Sequence, residues 1–359
     1  MLIKDSVANS MAVDTFDVDT SRALFIQRYL ESPWKKVLYL HIPFCPSKCR
    51  YCICETRVCS DAEQLRAFVY TTLVSQIEQY RPALENTRFD QLYIGGGTPT
   101  ILDAALLGEI FTRIPNLREI PIKCVECSPN TLTFEHLALF TEYSFTFISM
   151  GVQSLQKNIC KWQNRYHITA DEIAGISRAL AETGIYFNYD MICYLGKGDI
   201  RDIPAFEEDM LFLMQQCKPS SICVHQHHQI EFSCEKTRCL QNVLRNFVES
   251  PDLDYECVNS LLLEEDVLRD TMYQAQYRLV RERRDFCHYM WKRYPMVPVR
   301  GYDVLGLGFM DRIHVKSNVG DLIFAESRNQ FTKAVYQDFV YDDFNQVRQI
   351  KGLSVQDNP

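Results

Sequence analysis

The chain has 359 residues, 47% of them hydrophobic and 23% charged, with a formal net charge of −8. That length suits one large α/β domain with a smaller appended region, and the acidic balance argues against a nucleic-acid partner. No apolar run approaches the roughly 18 residues that a membrane span needs, and the polar, acidic start "MLIKDSVANSMAVDTFDVDTS" does not suit a signal or transit peptide, so the cytoplasm is the expected compartment.

In chain order, residues 1–36 read as an accessory segment with one short helix over about 20–31. From residue 37 strands and helices alternate. "VLYLHI" (37–42) reads as a buried strand, and Ser60 with Glu63 forms a capping box for a helix whose apolar face is Leu65, Phe68, Val69, Leu73 and Ile77. Then come the strand "FDQLYIGG" (89–96), a helix over 103–114, the strand "IKCVECS" (122–128) and a helix from Thr133. "FTFISMGVQS" (145–154) is the next strand, and Thr169 with Glu172 caps a helix that stops at Gly184. "IYFNYDMICYL" (185–195), a helix over 203–217 and "SSICVHQHHQI" (220–230) complete six strand–helix units. Such a run makes a parallel sheet with helices outside, and right-handed crossovers favour a partial barrel over a doubly wound sheet. Ligands then belong at the carboxyl ends of the strands.

Residues 37–234 therefore read as the barrel and 235–359 as a mostly helical C-terminal region. In that region 261–286 is the strongest expected helix, with a turn and short sheet at 301–315. "RLVRERR" (278–284) is expected on a solvated helix face, with a docking patch for an acidic electron donor as the alternative.

Fifteen cysteines are many for a core-rich chain in a reducing compartment, where tight clusters mean metal ligation. Cys45, Cys49 and Cys52 have the spacing C-x3-C-x2-C, and Cys54 adds C-x-C. Structural zinc sites use paired knuckles farther apart, so an iron–sulfur site is preferred, with zinc or no metal as alternatives. The scattered cysteines read as small core residues. In "HQHHQ" (225–229) strand alternation sends His225 and His227 to one face and His228 to the other; polar barrel lining is preferred to a two-ligand metal site.

"YLHIPFCPSKCRYCIC" (39–54) resembles the cluster loop of the radical S-adenosylmethionine (SAM) superfamily, and within it the HemN-like branch of oxygen-independent coproporphyrinogen III dehydrogenases. The resemblance implies a partial (β/α)6 radical-SAM barrel. It also implies that Cys45, Cys49 and Cys52 hold a 4Fe–4S cluster whose fourth iron takes SAM, with Cys54 no ligand. "YIGGGTPT" (93–100) resembles the motif that binds the SAM amino group, assigning Gly95, Gly96, Gly97 and Thr98 to the cofactor. "VECSPNTLT" assigns Glu126 to its ribose or methionine portion, "ISMGVQSL" and "QNRYH" bring in Gln153 and Arg165, and "NYDMICYLG" brings in Asp190. Arg165 is the expected bidentate partner of the SAM carboxylate. Tyr39 is expected beside the cofactor. In the branch, the positions of Gln153 and Asp190 help to hold a second SAM, so two SAM molecules are expected. A flavodoxin- or ferredoxin-type electron donor and a small-molecule or peptide substrate follow from the same resemblance, with no nucleic acid and no membrane.

Three departures lie on the expected substrate side: no "RYTSYP"-like stretch precedes the cluster loop, "CYLGKG" stands where the branch prefers Gly-Leu-Pro, and "FMDRIHV" follows Gly-Leu-Gly. The missing stretch, with Gln153 and Asp190 retained, makes C1 transfer from a second SAM to an unsaturated carbon of a small molecule or peptide the expected reaction. The alternatives are a coproporphyrinogen III dehydrogenase or other tetrapyrrole-modifying enzyme, and a haem chaperone without major catalysis.

Overall fold

A computed structural model describes residues 14–16, 18–52, 54, 56–227, 233–258, 277–282, 302–309, 315–319, 322–326 and 331–335. Its strands are β1 (Asp14–Phe16), β2 (Lys35–Ile42), β3 (Phe44–Cys45), β4 (Arg57–Val58), β5 (Gln91–Gly96), β6 (Ile122–Cys127), β7 (Phe147–Gln153), β8 (Tyr186–Cys193), β9 (Ser221–Gln226), β10 (Glu256–Val258), β11 (Tyr277–Val280), β12 (Tyr302–Leu307), β13 (Val315–Val319), β14 (Leu322–Glu326) and β15 (Phe331–Val335). Helix α1 (Val18–Glu31) precedes β2; α2 (Ala62–Phe68) runs through a π turn into α3 (Val74–Gln79) and α4 (Arg81–Asn86). Then follow α5 (Ala104–Arg113), α6 (Phe134–Glu142), α7 (Lys157–Trp162), α8 (Ala170–Thr183), α9 (Ile203–Phe212) and α10 (Cys234–Glu249).

Local chemistry sets the helix ends. Thr169 and Glu172 form the expected reciprocal box, and Gly184 closes α8 at φ 69°. Asp103 caps α5, and Thr133 with His136 boxes α6. Ahead of α2 the cap is Asp61, whose carboxylate accepts from Glu63 N and Gln64 N, and not the expected Ser60. A carboxylate beside the positive helix end has the electrostatic advantage there.

β2, β5, β6, β7, β8 and β9 are parallel neighbours in chain order. Because the order never reverses, the right-handed crossovers all leave their helices on one face and the sheet curls round its other face as a partial barrel. Pleat alternation divides the strand residues accordingly. Leu38, Leu40, Leu92, Ile94, Met150 and Met191 join the helix-side core, whereas Val37, Tyr39, Tyr93, Cys124, Phe147 and Tyr186 pack together on the inner face.

The C-terminal region departs from expectation. Its described residues form one helix and six strands, where a mostly helical region was expected. The strongest expected helix contains β11, which lies antiparallel on β9, while the rest of 261–286 except 281–282 lies outside the described residues. Arg278 is thus a buried strand residue and not part of a solvated helix face. Pairing with an open sheet edge satisfies backbone groups that a helix would satisfy internally, and burial of Tyr277 and Leu279 decides between them. β12, in the region expected to hold a short sheet, runs parallel to β2 with Leu305 opposite Leu38. That seam is held by Lys36, whose Nζ lies 2.6 Å from the fully buried Asp303 carboxylate, 2.9 Å from Ser32 O and 4.7 Å from the Tyr29 ring centre. No helix among the described residues is long and apolar enough to cross a membrane.

Candidate cofactor site at the strand carboxyl ends

β2 ends at Ile42, and the chain passes through Pro43 into β3, which carries Cys45. The glycine turn after β5 is bonded directly to this segment. Gly97 N donates to Ile42 O at 2.7 Å, Thr98 N donates to Phe44 O at 2.7 Å, and Thr98 Oγ1 lies 3.4 Å from Cys45 Sγ. A Cβ on Gly97 would fall 2.3 Å from Phe44 O, and Gly96 has φ +112° with the His41 ring 2.7 Å from where its Cβ would be. Only glycine lets the two backbones meet this closely.

The other side of the cysteine loop is held by the end of α7. Arg50 N donates to Gln163 O at 3.0 Å and Asn164 Nδ2 to Lys48 O at 3.0 Å. Lys48 Nζ donates to Cys54 O at 2.6 Å, and Cys52 N to Cys49 O at 3.2 Å. Cys45, Cys49, Cys52 and Cys54 are all partly buried. Hydrogen bonding from Cys54 holds Cys52 down to about 6, whereas burial pushes Cys45 up. A thiol poised to ionise on a partly open loop suits metal ligation.

β7 ends in a bulge, with Gln153 at φ 69°. Arg165 reaches back over that bulge and donates to Gly151 O, to Tyr51 Oη at 2.8 Å and towards Cys49 Sγ at 3.6 Å. Arg165 thereby joins the cysteine loop to β7. Gln153 Oε1 is buried without a hydrogen-bond partner among the described residues.

The inner face supplies a polar lining. Tyr93 donates to Glu126, whose carboxyl is pushed up to about 7 by burial, with Asp190 adding to the effect and the Tyr93 bond opposing it. Tyr39 Oη lies 2.9 Å from His41 Nδ1, and His41 stacks on Phe309 with ring centres 4.4 Å apart. Asp190 accepts from Ser149 Oγ at 2.9 Å and Asn188 Nδ2 at 2.8 Å, and Ser221 Oγ donates to Asn188 Oδ1 at 2.9 Å.

His225 Nε2 sits 3.5 Å from Asp190 Oδ1, while His227 is buried beside the Tyr51 ring, so the two histidines do not converge; His228 lies outside the described residues. Ligand atoms of Asp190, Cys223 and His225 lie within 4.8 Å of one another, a donor set that admits a cation. Arg278 Nη2 already places a positive charge 4.0 Å from Cys223 Sγ. Burial opposes charge on both groups, yet His225 is held well above the usual imidazole range by Cys223 and Asp190, and Cys223 below the usual thiol range by His225 and Arg278.

All twelve residues singled out in the sequence lie at or just beyond the carboxyl halves of β2 and β5–β8. The direct contacts tie Cys45 to Thr98 and Cys49 to Arg165, and a Cβ on Gly95 would fall 3.2 Å from the Glu126 carboxylate. Sequence reasoning missed Tyr51, Tyr93, Ser149, Asn188, Ser221, Cys223 and Arg278 as site residues. Ser149, Asn188 and Ser221 were within reach, because each stands two residues from an inward-facing neighbour (Gly151, Asp190 and Cys223).

A model of the Radical SAM superfamily matches residues 39–209. An oxygen-independent coproporphyrinogen III oxidase from Pseudomonas aeruginosa is 32% identical over 168 residues, 45% of this chain and 36% of that protein. The heme chaperone HemW from Haemophilus influenzae is 26% identical over 162 residues, 43% of this chain and 42% of that protein. The chain thus spans well under half the length of the curated relatives it matches. The structure of coproporphyrinogen III oxidase (HemN) from Escherichia coli superposes with a TM-score of 0.65 at 20% identity, covering 98% of this chain and 83% of that one, which is a likeness of fold. The comparisons thus show a radical SAM segment over residues 39–209 and a modest homology to HemN-like proteins.

Proposed function

We propose, from the radical SAM superfamily segment at residues 39–209, that the chain binds a 4Fe–4S cluster through Cys45, Cys49 and Cys52 and abstracts hydrogen from a tetrapyrrole-type substrate. The observation that carries the cofactor reading is the fusion of the cysteine loop to the glycine turn through Gly97 and Thr98, which sets Cys45 against a side-chain-free cradle. The residues fit the group: three partly open thiols, a cradle that a Cβ would fill, and the orphaned Gln153 acceptor. A cluster held by Cys45, Cys49 and Cys52 would supply the electron for reductive cleavage of SAM.

The protein's part is to hold, orient and enclose. Arg165, with its guanidinium locked between Gly151 O and Tyr51, is positioned for a carboxylate, and Gln153 Oε1 for an amino or hydroxyl donor. The Gly95–Gly97 backbone lies open to close approach by a ligand. Glu126, near neutral at about 7, can share a proton with a ligand without burying a full charge. Tyr39, Tyr93 and Phe309 close the inner face with apolar surface and exclude water from below.

The tetrapyrrole reading now ranks ahead of C1 transfer, because the matched relatives include many named for coproporphyrinogen III oxidation. C1 transfer from a second SAM is the second reading and rests on Gln153 and Asp190, both on strands that line the site.

Anaerobic turnover of the reconstituted chain with dithionite, SAM and coproporphyrinogen III, followed by mass spectrometry, separates them. 5′-Deoxyadenosine with decarboxylated, vinyl-bearing product is expected. S-adenosylhomocysteine formed in step with deoxyadenosine would transfer support to C1 transfer. No deoxyadenosine at all would overturn both.

A further inference from the structure

The surface around the cysteine loop is charged unlike the rest of the chain. Residues 43–52 and 154–168 are bonded to each other through Arg50 N to Gln163 O, Asn164 Nδ2 to Lys48 O, and Ser47 Oγ to Asn164 O at 3.4 Å. Together they contain Lys48, Arg50, Lys157, Lys161 and Arg165 and not one Asp or Glu, although acidic residues outnumber basic ones 46 to 38 overall. Arg50, Lys157 and Lys161 are exposed. Trp162 is 59% exposed, and the Arg50 guanidinium stacks over its ring at 4.5 Å. Glu208, bonded to Gln156 at 3.2 Å, marks one edge of the patch.

An exposed indole carrying a stacked arginine within a cationic field is the composition of a protein-binding hot spot. Its place decides what binds. The patch is built on the very loop that carries Cys45, Cys49 and Cys52, and under the proposed function, on which this inference rests, that loop must receive one electron from outside for each SAM cleaved.

We infer that Arg50, Lys157, Lys161 and Trp162 form the docking surface for an acidic protein carrying a one-electron redox group. In each cycle the docked donor is oxidised by one electron, and that electron reduces one sulfonium as its sulfur–carbon bond breaks; no atom passes between the proteins. In the basic stretch at 278–284, Arg278 is buried on β11 and residues 283–284 lie outside the described residues. Opposite charge steers the encounter, and the apolar indole limits dissociation.

The test uses the full chain and flavodoxin as the acidic probe. Calorimetric titration of flavodoxin into cluster-free protein, at low and high ionic strength, reads binding independently of turnover. K157E/K161E is expected to weaken binding roughly tenfold at low ionic strength and to flatten its salt dependence. W162A is expected to weaken it several-fold with the salt dependence kept. The control K218E reverses a charge just before β9, at the amino ends of the strands, and should bind like the wild type. In the reconstituted protein, K157E/K161E should cleave SAM at the wild-type rate with dithionite and roughly tenfold more slowly with reduced flavodoxin. If K157E/K161E lowers the melting temperature, K157Q/K161Q keeps the comparison with a smaller expected loss. Equal binding by K157E/K161E and wild type, or equal weakening by K218E, would overturn the inference. Absence of dithionite-driven SAM cleavage in the wild type would instead overturn the proposed function while the binding comparison stood.

Discussion

Replacing Gly97 with alanine tests whether the glycine turn and the cysteine loop are one unit. The new methyl would lie 2.3 Å from Phe44 O, 2.8 Å from Phe44 C and 3.0 Å from Phe44 N. All three are backbone atoms, so no rotamer change relieves the clash, and the segments must part by about 1 Å to reach ordinary contact. That movement breaks or stretches two hydrogen bonds of 2.7 Å, from Gly97 N to Ile42 O and from Thr98 N to Phe44 O. At about 1 kcal/mol for each bond lost, and more where a buried group is left unsatisfied, the expected cost is about 2–4 kcal/mol.

The control is Gly108→Ala on α5, where the methyl would meet Leu139 Cδ1 at an ordinary 3.6 Å. There the lower entropy cost of ordering alanine should leave stability unchanged or raise it by about 0.5–1 kcal/mol. Urea unfolding of the cluster-free chain measures the stability difference, and iron content with SAM affinity after reconstitution measures the site. Gly97→Ala within about 0.5 kcal/mol of wild type, with full iron and unchanged SAM affinity, would refute the claim that this contact builds the site.

Other consequences are equally direct. Cys45→Ser, Cys49→Ser and Cys52→Ser should each abolish the brown chromophore and most of the iron, whereas Cys54→Ser should retain both; a colourless Cys54→Ser protein would reassign the ligand set. Asp303→Ala should destabilise the chain by about 3–5 kcal/mol in urea unfolding, because it leaves the Lys36 ammonium buried against β12 without its carboxylate. The double variant Lys36→Met with Asp303→Leu should recover much of that loss. Burial lifts Glu126 from an ordinary 4.5 to about 7, so the folded chain keeps a proton that the unfolded chain has released between those values. The stability this contributes is complete below about 4.5 and lost as pH rises through about 7. Relative to Glu126→Gln, cluster-free wild type should therefore lose up to about 3 kcal/mol between pH 4.5 and 7; parallel pH profiles for the two would contradict the assignment.

The elements whose signals are local could be read from the residues alone. Thr169, Glu172 and Gly184 mark both ends of α8 because caps and left-handed stops depend on a few neighbouring groups. The runs at 37–42, 91–96, 122–127, 147–153, 186–193 and 221–226 announce strands because a strand buried on both faces needs continuous apolar sequence. Even here Asp61 and Ser60 compete for one cap, and the backbone geometry chose Asp61.

Placement was decided by the fold. β12 joins β2 across more than 260 residues, Lys36 and Asp303 being 267 apart, and no local pattern announces such a pairing. "YRLV" within 261–286 carries helix-compatible periodicity, and only the open edge of β9 makes it a strand that buries Arg278 against Cys223. The cysteine spacing proposes ligands, but the lock between Phe44 and Gly97 and the reach of Arg165 from the loop after α7 to Cys49 exist only once separate strands converge. Periodicity and capping are properties of neighbours in the chain; register, burial of charge and the making of a site depend on which distant backbones lie side by side, and that is settled by the tertiary structure alone.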